Sequence, residues 1–177
     1  MQASVDELET QDAADATWMT RITSVVLAAR AAEAARQAFE EMRRRQEAEA
    51  FEERRQRCTL IATEVLDRTV EVLGRLGTTA RTTRALRDSV SRMPRAFDVG
   101  VHVEGDDLVA SLVLTVVEGL DAVKTARRIA PRRLGADVRE HVGSIDFAAL
   151  SDHAVGELVA TLVEDLFGAD RPAAPAG

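Results

Sequence analysis

The chain has no tyrosine, one tryptophan and one cysteine among 177 residues, and only 3% of it is aromatic. The lone Cys58 excludes an internal disulfide and any cysteine-based zinc centre within one chain. So few aromatic faces leave little for single-stranded bases to stack on. Glycine and proline are missing from residues 1–73, so nothing there breaks a helix. The longest apolar run, "LVASLVLTVV" at 108–117, is too short to cross a bilayer as a helix. The opening "MQASVDELET" holds no apolar run of the kind a secretory signal needs. A cytoplasmic protein with no membrane contact is the expectation.

Catalytic signatures are also missing. No glycine spacing matches a phosphate loop or a dinucleotide fingerprint, and there is no Gly-x-Ser-x-Gly elbow. The histidines His102, His141 and His153 have no zinc-ligand spacing. One acidic knot, Glu104-Gly105-Asp106-Asp107 beside His102, has the residue types of a metal site. Alternation places His102 and Glu104 on one strand face and the two aspartates in a turn, and the loop is too short for a calcium hand. Gly-Asp is ordinary turn chemistry, so the knot reads as a bend. No catalytic residue, metal site or cofactor is expected, and the chain reads as a non-enzyme.

The formal charge is −7, which disfavours non-specific binding to nucleic acid. That average hides blocks: residues 1–15 carry five acids and no base, while 124–139 carry six bases against Asp137. Within the basic block Arg127, Arg128, Arg132 and Arg133 flank Pro131 and form a candidate phosphate contact.

The apolar pattern is rich and mostly helical. Trp18, Ile22, Val25, Ala29 and Ala32 recur at steps of four and three, with Ala28, Ala31, Ala35, Ala38 and Met42 running beside them. Along residues 43–57 the stripe thins to Ala48, Ala50 and Phe51, and spaced charges such as Glu41/Arg45 and Glu53/Arg57, each pair contributing roughly 0.2–0.5 kcal/mol, suit an exposed helical arm. A wide stripe then returns through Cys58, Ala62, Val65, Thr69, Val72 and Leu76. Gly74 and Gly77 read as a cap or kink, after which a further helical segment with Arg81, Arg84 and Arg87 at steps of three runs to Pro94. Whether residues 12–94 form one long helix or a helical hairpin stays open.

Residues 97–117 alternate around the acidic bend and read as a β-hairpin, which needs a cover to be stable. Gly119 to Ala130 reads as a helix and 131–143 as a basic connector. Leu150, Val155, Leu158, Leu162, Val163 and Leu166 mark a closing amphipathic helix capped near Ser151-Asp152. The expected fold is thus α+β but mainly helical: an acidic lead (1–11), a long coiled-coil-like region (12–94), a small module with the hairpin and two C-terminal helices (95–168), and a disordered tail (169–177).

Over 98–168, "VGVHVEGDDLVASLVL" followed by "IDFAALSDHAVGELVATLVEDL" faintly resembles the YbaB/EbfC nucleoid-associated family, with 119–143 interrupting the match. That resemblance implies a dimer that pairs through its sheet and binds DNA, here by its arginine clusters. The residues themselves favour a different function: a homo-oligomer and adaptor or scaffold for another protein. It would dock by amphipathic helices, with Trp18, Ile22, Val25, Val65, Thr69, Val72 and Leu76 as the interface and the hairpin edge adding strand pairing.

Overall fold

A computed structural model describes residues 3–88, 93–132 and 138–168, with side chains from Thr17 onward. The chain divides into two compact units, Met1–Gln46 and Glu47–Gly177. The long helix α1 runs Ala3–Arg75 and supplies all the described structure of the first unit. Its end is set by Gly77, whose φ of 82° needs no strain only in glycine. The Thr78 N–H donates to the Leu73 carbonyl at 2.9 Å and the Gly77 N–H to that of Gly74 at 3.1 Å. These paired bonds close a Schellman cap, which satisfies the last carbonyls and turns the chain.

The second unit is built on a five-stranded antiparallel sheet in sequence order: β1 (Thr79–Arg87), β2 (Ala96–Glu104), β3 (Leu108–Val117), β4 (Ala122–Pro131) and β5 (Arg139–Asp146). A one-turn 3₁₀ segment (Phe147–Ala149) leads to helix α2 (Asp152–Gly168). The Ala154 N–H donates to Ser151 Oγ at 3.3 Å, so Ser151 caps α2 as its residue type favours.

The mainly helical expectation is therefore overturned: the fold is mixed α+β, 55% helix and 32% strand. Helix α1 stops at Arg75, and the arginine-rich stretch to Arg87 is an edge strand. Its Thr79, Thr82 and Thr83 suit an extended backbone, whereas arginines three apart fit a helix only on paper. Residues 119–130, expected to be helical, supply most of β4, and 139–143 of the expected connector open β5, so one C-terminal helix stands where two were expected. The 97–117 hairpin is the centre of a sheet rather than a free ribbon. The tail 169–177 and the acidic lead's side chains lie outside the described residues.

Register explains the core. Phe97, Val99, Val101 and Val103 of β2 stand opposite Val116, Leu114, Leu112 and Ala110 of β3, which in turn stand opposite Val123, Thr125, Arg127 and Ile129 of β4. This face joins Phe51, Cys58, Ala62, Leu66 and Leu73 of α1 and Val155, Val159, Leu162 and Leu166 of α2 in one cluster. The cover that the hairpin required thus comes from the same chain. Burial pushes the Cys58 thiol up to about 11. The unfolded chain forms the thiolate near pH 9 and the folded chain only near 11, so stability is full below pH 9 and falls as pH rises through that window. We expect a loss of about 2–3 kcal/mol by pH 11, read as a lower urea midpoint that Cys58→Ala no longer shows.

Candidate functional site

The fold separates the two halves of the expected helical interface. Val65 packs against the core and Thr69 is half-buried, its Oγ1 donating to the Val65 carbonyl at 2.8 Å. The 58–73 stretch thus covers its own sheet, while Val72 (48% exposed) and Leu76 (75%) have turned off it. Val72, two heptads after Cys58, has drifted by about 40° on a straight helix, and Leu76 lies past the helix end at Arg75, in its capping turn. Leu66 and Leu73, on the side of the stripe that meets the sheet, point inward.

The first unit is different. Every described side chain from Thr17 to Gln46 is exposed. Among them Trp18, Ile22 (54% exposed), Val25 (68%), Phe39 (65%) and Met42 (54%) are large and apolar, as are Met19, Val26 and Leu27 on other sides of the helix. Trp18, Val25, Ala32 and Phe39 succeed one another at steps of seven, which places them in one row along the helix. Ile22 and Ala29 flank that row on one side, and Ala28, Ala35 and Met42 on the other. Phe39 is a member that the spacing of three and four did not reach, although the step of seven from Ala32 carries its signal. On the far side lie Arg30, Gln37, Glu41 and Arg44, together with Leu27 (59% exposed). An apolar face of this size on one helix is unusual for a surface that stays in water.

The arginine candidates do not form one patch. Arg127 and Arg128 are neighbours on β4 and so point to opposite faces. Arg127 lies on the helix-covered face, where its Nη1 meets Asp165 Oδ2 of α2 at 3.2 Å. Arg128 is exposed on the other face, opposite Glu140 in the register. Arg132 pairs with Glu104 at 2.9 Å, and Arg133 lies outside the described residues.

That last pair also settles the place of the acidic bend. His102 Nε2 lies 4.0 Å from Glu104 Oε1, while Asp106 and Asp107 are exposed in the turn. The Gly105 N–H donates to the Leu108 carbonyl at 2.9 Å, and Gly105 packs beneath Leu166 of α2. Among the described residues no three His, Cys, Asp or Glu side chains converge as metal ligands would.

A cleft of about 540 Å³ lies in the second unit beside Glu53, Arg54, Arg57, Asp121, Asp146 and Phe147. Arg54 Nη1 donates to Asp121 Oδ1 at 2.8 Å, and the Arg57 guanidinium stands 5.2 Å over the Phe147 ring. Both arginines are thereby committed to holding α1 against the β3–β4 turn and the 3₁₀ segment. Glu52 bonds Arg55 and Gln56, which hold its carboxyl down to about 2.

No family model matches the chain, and neither a curated protein nor a solved structure does. Among the described residues no helix is long and apolar enough to cross a membrane.

Proposed function

We propose that the protein is a non-enzymatic oligomerisation and protein-interaction (adaptor or scaffold) protein. In this reading the 18–42 face of α1 brings copies together, and the sheet unit is the cargo-bearing or partner-binding module. One observation carries it: the exposed row of Trp18, Val25, Ala32 and Phe39, with Ile22 and Met42 beside it, on a helix that makes up the described part of its unit. Helices in water draw most of their stability from packing an apolar face, so such a face favours a helical neighbour. The division of the arginines between two faces and into ion pairs gives the DNA-binding reading no comparable support. A cytoplasmic location agrees with a chain whose one thiol is buried and has no partner for a disulfide.

Trp18 is the only tryptophan and sits in the face itself, so it reports on the interface without labelling. In wild-type protein its emission is expected to be blue-shifted and poorly quenched by acrylamide. In a Val25→Asp/Phe39→Asp variant it should shift red and quench several-fold more readily. Unfolding of the sheet should be unchanged, because neither residue belongs to the core. Equal quenching in the two proteins would sink the proposal.

A further inference from the structure

We infer that two copies of α1 pair antiparallel through this face, so that the acidic start of one helix lies beside Arg43–Arg45 of the other. The inference rests on the self-association proposed above and adds its direction. The row sets the register: laid against itself in reverse, Trp18 meets Phe39 of the second copy and Val25 meets Ala32, so partner residues sum to 57.

Charge then chooses between the two directions. Residues 1–15 carry five acids and no base, and α1 includes them from Ala3. Side by side in a parallel pair, that block would face its own copy, and Arg43, Arg44 and Arg45 would face theirs. Like charges so placed repel, and helices pack about 8–10 Å apart, comparable to the screening length of about 8 Å in physiological salt. In the antiparallel register residues 12–14 lie level with 43–45. Asp12 and Asp15 thus bracket the level of the three arginines, and both repulsions become attractions. The apolar row supplies the contact in either direction; the charge blocks discriminate, as they do between competing coiled-coil partners.

A spin label on Glu40→Cys of the full chain tests the direction. Glu40 is exposed on α1, and Cys58 is fully buried, so the label goes to the new thiol. Antiparallel pairing sets residue 40 level with residue 17 of the second copy. Its two labels then lie about 35 Å apart along the axis at 1.5 Å per residue. Parallel pairing keeps them within about 25 Å, the helix separation plus two label arms. A distance distribution centred near 35 Å, weakening with salt, is expected. A dimer with distances under 25 Å would overturn the antiparallel arrangement and leave self-association standing. A monomer by sedimentation, with no dipolar signal, would overturn both.

Discussion

Leu112→Ala is expected to destabilise the protein by about 3–5 kcal/mol, a large part of the stability of an ordinary domain. Leu112 is fully buried on the central strand, between Val101 of β2 and Arg127 of β4 in the register. Its strand neighbours Ala110 and Leu114 are buried as well. Hydrogen-bonded strands on both sides keep the site from collapsing, so the lost methyl groups leave a cavity, and both the transfer and the cavity contributions are felt. Urea unfolding should show a lower midpoint at unchanged slope. Val142→Ala, on the exposed edge strand β5, is expected to change stability by less than about 0.5 kcal/mol. Equal effects at the two positions would mean that the helix-covered face is not the core.

Gly100→Ala is expected to cost about 3 kcal/mol although it adds a single methyl group. A Cβ built at Gly100 would lie 2.3 Å from the Leu112 carbonyl oxygen and 3.2 Å from Val113 Cα. Both are backbone of the paired strand and cannot swing aside as a side chain would. Relief requires β2 and β3 to part locally, with loss of ladder hydrogen bonds in the middle of the sheet. The same measurement applies, and a variant as stable as wild type would contradict the β2–β3 register. The glycine in "DVGVHVEGDDLVA" is thus explained by close strand approach, and the acids around it by a turn and an ion pair.

How far the fold can be read from the sequence depends on whether local pattern and tertiary environment agree. They agree in α1, which has no breaker before Gly74, and in β2 and β3, where Phe97, Val99, Val101 and Val103 and then Ala110, Leu112, Leu114 and Val116 are buried at every second position. They disagree in β4. Val123, Thr125 and Ile129 point inward at period two, but Arg127 takes an inward position because Asp165 of a distant helix neutralises it. With a charge inside the period, "AVKTARRIAP" looks helical. Strand β5 shows no alternation because nearly all of it is exposed, leaving no burial to impose a period. In β1 the arginines and threonines alternate faces, while the threefold arginine spacing mimics a helix stripe.

The candidate site divides in the same way. Trp18, Ile22 and Val25 lie on an exposed face of α1. Val65 and Thr69 belong to an equally clear stripe whose partner is the sheet of the same chain. Spacing along a helix marks an apolar face, and only the rest of the fold shows what that face packs on.

The most direct test of self-association through α1 is the molar mass of the unmodified protein in solution, measured by light scattering across a range of concentrations. At least twice the 19.2 kDa of one chain is expected, falling to the single-chain value in the Val25→Asp/Phe39→Asp variant. A wild-type mass of one chain at every concentration would contradict it.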